Sequence, residues 1–341
     1  ESCMKARSSE MAEIATIEAI SFIFRPEKST VPIPGPVTEL KAVGRQYQGV
    51  GAAASCTGGA GTDGSYSGFP VNQTASLLEM EKGMAVQSGN DAAIALAEHV
   101  AGSEDAFAAL MNAYAQRIGL KNSHFVNSHG LSEENHYSTA RDLALLGRAM
   151  IRDYPEEYAH NSIKEMTVNG ITQRNRNLLL WRDDSVDGIK TGHHSAAGYC
   201  LMSSARRGDQ RLIAVVMGSS SEAQRATDSL ALLNWGFRFF ETHTIYEAGT
   251  AVSSQRIWKG RADELQLGLA EPLTVSLPRG KYQQLKPTMD IPATLVAPVE
   301  QGAALRAMRG RVDGLLGGIE QGDLGGRVRG EFRVAFRRRR V

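Results

Sequence analysis

The chain of 341 residues is long enough for two domains or one large one. Its 38 Lys and Arg stand against 37 Asp and Glu, which excludes a nucleic-acid-binding charge spread over the whole protein, and Cys3, Cys56 and Cys200 are too few for a disulfide framework. There is no apolar run of the ~18 residues that a membrane-spanning helix needs, and no charged-then-apolar leader at the first residues.

Residues 8–24 read as one helix, and the run Val31-Pro-Ile-Pro-Gly-Pro36 breaks whatever lies around it. From Gly49 to Gly68 the text is Gly-, Ala-, Ser- and Thr-rich and reads as loop. Leu77–Gln87 has helical spacing and runs into Ser88. Asp91–Val100, dominated by Ala and Leu, predicts a second helix. Ser103, followed by Glu104 and Asp105, caps a third that runs to Ile118, with Phe107, Leu110, Met111, Tyr114 and Ile118 on one face. Ser138–Asp142 opens a fourth, to about Arg152. Residues 165–181 read as extended, Cys200–Ser204 and Leu212–Met217 as a hairpin, and Ser221–Phe240 as a long helix packed on it. After Glu241 short apolar stretches alternate with Gly and Pro, the pattern of a small all-β domain over 241–305. From 306 onward the chain is Arg- and Gly-rich and reads as a basic tail, either solvated or lying on a membrane surface.

Three short motifs carry chemistry in a fixed order: Ser2-x-x-Lys5, Ser88-Gly89-Asn90 and Lys190-Thr191-Gly192. Acyl transfer needs a nucleophile, a base, and a cation for a substrate carboxylate. A Ser and a Lys three positions apart on a helix share one face, where a Lys of lowered pKa deprotonates the Ser. Ser88 suits a proton relay and Asn90 a substrate amide. Lys190 and Thr191, on an edge strand, suit the carboxylate, and Gly192 allows close backbone approach. Ser88-Gly89-Asn90 is also a plausible helix cap, and His129 reads as a structural turn histidine. His99, His124 and His136 have no ligand spacing, so neither metal nor other cofactor is expected.

The flanks of these motifs give a family resemblance. Val86–Ala92, Phe125-Val-Asn-Ser-His-Gly-Leu131, His136–Asp142, Asn175–Leu180, Val186–His193, Ala197-Gly-Tyr199 and Trp235–Glu241 resemble the low-molecular-mass penicillin-binding proteins, serine D-alanyl-D-alanine carboxypeptidases of bacterial cell walls. The resemblance covers about residues 71–300. It implies an α+β fold: a penicillin-recognising serine transpeptidase-like domain over 1–240, of which 1–70 match poorly, then the small β-domain. It implies the D-Ala-D-Ala end of a peptidoglycan stem peptide as substrate, an acyl-enzyme, β-lactams as covalent inhibitors, and a periplasmic site of action. Ser2 and Lys5 are then nucleophile and base, Ser88 and Asn90 complete the catalytic set, and Lys190, Thr191, Gly192, His193 and Arg225 line the substrate site. The family sets two strands before its Ser-x-x-Lys, whereas one residue precedes Ser2 here, and the window 19–28 holds no such motif. A β-lactamase-like hydrolase and a catalytically inactive penicillin- or muropeptide-binding relative are the alternative readings.

Overall fold

The computed structural model describes residues 53–55, 64–69, 74–195, 197–260, 263–269, 272–288, 295–298, 304–312 and 328–334. Ser2, Lys5 and the helix expected over 8–24 lie outside the described residues. The chain divides into two compact units, with the boundary between Trp235 and Gly236.

The larger unit opens with two short paired strands, β1 (Ala53–Ser55) and β2 (Thr74–Ser76). Four helices follow: α1 (Leu77–Gln87), α2 (Asn90–Ala101), α3 (Glu104–Ile118) and α4 (Ala140–Asp153). Their starts are written locally. Ser76 and Glu79 form a reciprocal capping box on α1, and the side chains of Ser103 and Thr139 accept from backbone N–H groups at the heads of α3 and α4. Within the stretch Ser138–Asp142 the α4 cap is Thr139. Gly102 and Gly119 end α2 and α3 in the left-handed region. The core of the unit gathers Met80 and Met84 of α1, Leu96 of α2, Phe107 and Met111 of α3, and Leu146 and Met150 of α4. In α2, Ala92, Ala93, Ala95 and Ala97 are buried around the helix, and their small size lets neighbouring chain approach from several sides.

After the short helix α5 (Pro155–Tyr158) come the hairpin β3 (Glu165–Val168) and β4 (Ile171–Arg174), then one helical turn, α6 (Leu179–Arg182). The expectation of extended chain over 165–181 fails at α6, because Asn177 accepts from the N–H of Leu179 and starts the turn. Next lies an antiparallel three-stranded sheet, β5 (Val186–His194), β6 (Gly198–Arg207) and β7 (Gln210–Ser219), in that order. β6 and β7 are longer than the predicted hairpin: Arg206 and Arg207 continue the ladder opposite Arg211 and Gln210. α4 packs on this sheet at Gly147, where a Cβ would fall 2.9 Å from both Ile189 and Met202. Leu201, Met202 and Ala205 are buried on β6.

Helix α7 (Glu222–Phe239) runs across the unit boundary. The second unit is all β. β8 (Phe240–Tyr246), β9 (Ala251–Trp258), β10 (Glu264–Leu269), β11 (Leu273–Pro278), β12 (Leu285–Thr288) and β13 (Leu295–Val296) precede β14 (Ala304–Val312) and β15 (Val328–Val334). They form a sheet of order β12-β14-β15-β10-β9-β13 and a separate β11-β8 pair. β10 and β11 show the period-two alternation of a sheet with one covered face: Leu265, Leu267, Leu273, Val275 and Leu277 are buried. The segment read as a basic tail instead contributes β14 and β15 to this sheet, β14 pairing with both β12 and β15.

Candidate active site

Ser88, Gly89 and Asn90 form the corner between α1 and α2. Ser88 is the C-cap of α1 with φ 57° and ψ 42°, and its N–H donates to the carbonyls of Gly83 and Met84. That left-handed residue turns the chain so that Asn90 begins α2 almost at once. The N–H of Asn90 donates to Ser65 O at 2.8 Å, which ties the corner to the segment 64–69. Gly89 has the ordinary φ of −65°, so backbone freedom does not select it. Space does: a Cβ there would lie 2.6 Å from Ser67 Cβ and 2.8 Å from both Ser67 N and Asp91 Oδ1. Ser88, Asn90 and Asp91 are all buried.

Lys190 and Thr191 sit in the middle of β5, which has β6 as its neighbour and is an edge of the sheet among the described residues. Both are buried, Lys190 at 1% exposure. A buried ammonium is costly unless its donors are satisfied. Lys190 Nζ donates to Ser88 Oγ and, at 2.8 Å, to Thr191 O. The structure thus joins two motifs that stand 102 positions apart in sequence. A serine oxygen that accepts from Lys190 has its own proton directed elsewhere. The pair is therefore suited to passing a proton while holding a cation beside an anionic ligand.

Gly192 and His193 continue β5. The carbonyl of Gly192 accepts from Arg225 Nη1 at 3.3 Å. Arg225, on α7, is fully buried: it also donates to Cys200 O at 3.5 Å and Arg176 O at 3.1 Å, and its Cζ lies 5.6 Å from the Tyr199 ring centroid. These bonds to main-chain oxygens fasten α7 to the end of β5. His193 is exposed, with its ring 4.0 Å from that of Tyr199.

Several supporting residues carried no motif in the sequence. Asn177 Nδ2 donates to Gly188 O at 3.2 Å, holding the start of β5, and Asn175, which accepts from Asn177 N, donates from Nδ2 to Ile163 O at 2.9 Å. Tyr158 OH and Arg211 both donate to Asp187 Oδ1, at 2.6 and 2.8 Å, and Arg211 also donates to Ser204 Oγ at 2.7 Å. Burial, and secondarily the charge of Asp187, pushes the Tyr158 phenol well above its ordinary pKa. Asp91 accepts from the N–H and hydroxyl of Ser67 at 2.8 and 2.5 Å. Asp91 stands next to Asn90 in the motif, but its partner lies 24 residues away with no local signature.

His129 accepts at Nδ1 from Leu131 N at 3.2 Å, and its Nε2 lies 3.7 Å from Glu104, within a turn that Asn127 also bonds. Burial lowers its pKa. Among the described residues no group of His, Cys, Asp and Glu could hold a metal ion, and no helix is long and apolar enough to cross a membrane.

The chain is similar to known proteins. A family model described as D-alanyl-D-alanine carboxypeptidase matches residues 44–221, and one described as the C-terminal domain of penicillin-binding protein 5 matches residues 240–317. The D-alanyl-D-alanine carboxypeptidase DacC of Escherichia coli K12 is 43% identical over 292 residues, 82% of this chain and 73% of the relative. DacA of the same organism is 43% identical over 267 residues, 74% of this chain and 66% of the relative. The crystal structure of penicillin-binding protein 5 from Haemophilus influenzae is similar with a TM-score of 0.75 at 34% identity, covering 94% of this chain and 88% of that one. With its Lys190–Ser88 contact, its corner at Asn90 and a helix-and-sheet unit followed by a β unit, the chain belongs to the D-alanyl-D-alanine carboxypeptidase family.

Proposed function

We propose that this chain removes the terminal D-alanine from peptidoglycan stem peptides that end in D-Ala-D-Ala, in the periplasm, through an acyl-enzyme. The observation that carries the assignment of roles is the hydrogen bond from Lys190 to Ser88 at the corner that also holds Asn90. Lys190 and Thr191 take the terminal carboxylate. Asn90 takes the amide of the penultimate residue. Ser88 passes a proton to the departing D-alanine amine. Arg225, bonded to the Gly192 carbonyl, keeps the strand in place, and His193 with Tyr199 borders the substrate.

The nucleophile in this reading is Ser2, with Lys5 as its base. The Ser2 hydroxyl adds to the penultimate D-Ala carbonyl while Lys5 takes the proton. The C–N bond then breaks, the amine leaves with a proton, and water hydrolyses the ester. β-Lactams enter the same first step and remain as esters. The Arg-rich residues after 306 supply a peripheral contact with the outer face of the inner membrane.

Exposure to a fluorescent penicillin, followed by peptide mass spectrometry, tests this reading. The expected result is one covalent adduct on a peptide containing Ser2. An adduct on another serine moves the nucleophile, and absence of any adduct overturns acyl transfer for this chain.

A further inference from the structure

Beside Asn90 runs the short segment 64–69, and its anchoring is unusually complete. Ser67 is wholly buried and Asp91 is buried. Asp91 uses both carboxylate oxygens on Ser67, one on its N–H at 2.8 Å and one on its hydroxyl at 2.5 Å. The Ser67 carbonyl accepts from Gln173 Nε2 at 2.7 Å, and Gly68 O from Asn169 Nδ2 at 3.2 Å, so the β3–β4 hairpin holds the same segment from the other side. The hairpin is in turn tied to α1, since Gln87 Nε2 donates to Arg174 O at 2.8 Å.

The near end of the segment is the part that faces the site. Ser65 O accepts from Asn90 N, and a Cβ on Gly64 would fall 2.3 Å from Asn90 Nδ2 and 3.8 Å from Leu131. Any movement at Ser67 is therefore passed within two residues to the backbone against which the Asn90 amide rests. A carboxylate accepting two hydrogen bonds in a buried place is a strong, directional fastening.

We propose that Asp91 is a positioning residue, which latches the segment 64–69 through Ser67 and so fixes the wall of the substrate pocket beside Asn90. The proposal rests on the substrate-binding role given above to Asn90 and Lys190. Asp91 touches no reacting atom in it. It sets where the penultimate residue of the peptide meets the Asn90 amide, and hence how tightly that peptide is held.

The test uses the full chain and a readout independent of acylation. The probe is a peptide ending in D-Ala-D-Ala whose scissile amide is reduced to a methylene-amine, with affinity measured by calorimetry and amide exchange at Ser67 and Asn90 followed in parallel. Asp91→Ala should accelerate exchange at both amides and weaken the peptide by about tenfold, the loss expected for a charge-assisted bond. Asp91→Ala combined with Ser67→Ala should weaken it no further than Asp91→Ala alone, since both remove one latch. Faster exchange at Ser67 with parental affinity overturns the proposal, and so does unchanged exchange. Should Asp91→Ala fail to fold, Ser67→Ala carries the test: it keeps the main-chain bond, loses the shorter one, and must still weaken the peptide. Lys190→Ala separates the two readings. If it too leaves the affinity unchanged, the substrate site itself is misassigned; if it alone weakens the peptide, the latch is.

Discussion

Lys190 on β5 donates a hydrogen bond to Ser88, the left-handed residue between α1 and α2. The contact joins a strand of the sheet to a helix corner, and both partners are buried. Everything proposed for the site depends on this contact, because it places a cation, a hydroxyl and the neighbouring Asn90 amide in one region.

Ser88→Gly separates the hydroxyl from the backbone turn. Glycine adopts the left-handed conformation freely, so the fold should be kept, with a melting temperature close to the parent's. Turnover should fall by about a hundredfold, within the range for lost proton transfer. Parental turnover in a folded Ser88→Gly protein rules out the relay role.

Lys190→Ala and Arg225→Ala should differ in kind. Lys190→Ala removes a charge-assisted bond to the substrate carboxylate, about 1.5–3 kcal/mol, and should slow penicillin acylation roughly ten- to hundredfold. Arg225→Ala leaves the carbonyls of Gly192, Cys200 and Arg176 without this donor. It should mainly lower thermal stability, by about 3 kcal/mol, with the smaller effect on acylation. Stopped-flow acylation and calorimetric melting of both variants decide the matter.

Gly89→Ala should destabilise by about 1–3 kcal/mol, the usual cost of overpacking, because the new methyl meets Ser67 at its Cβ and backbone N, and Asp91 Oδ1, which is itself bonded to Ser67. Urea denaturation of the variant provides the check; an unchanged midpoint would contradict the close approach.

His136 gives the fold an acid limit. It is wholly buried, Val126 N donates to its Nδ1 at 3.4 Å, and its Nε2 has no partner among the described residues. Burial first, and the neighbouring His129 and His124 second, lower its pKa from 6.5 to about 3. The folded state therefore keeps it neutral while the unfolded chain takes up a proton. Its contribution is intact above pH 6.5 and is lost progressively as pH falls toward about 3. Within that window the slope is up to about 1.4 kcal/mol per pH unit. His136→Gln should flatten the dependence of unfolding free energy on pH between those limits. An undiminished slope would place the acid sensitivity elsewhere.

The parts of the site legible in the sequence were those written in contiguous residues. The helix before Ser88 ends where its spacing stops, the Ala- and Leu-rich α2 has no breaker, and Lys190-Thr191-Gly192 sits in a run suited to a strand. Ser67 and Asp91 were not legible as partners, since nothing local marks a bond across 24 residues. Neither was the set of Tyr158, Asp187 and Arg211, which comes from a helix and two strands. In the second unit, the many arginines of 304–312 and 328–334 masked strands whose pairing only the sheet supplies. Composition argues for solvated chain there, and the cross-strand ladder overrides it.

The most direct measurement is release of free D-alanine from diacetyl-L-Lys-D-Ala-D-Ala by the full chain, beside Lys190→Ala. The account predicts steady release by the parent chain, its block by penicillin, and a loss of at least about tenfold in kcat/KM for Lys190→Ala. No release by a folded parent chain, or equal release by the two proteins, would contradict it.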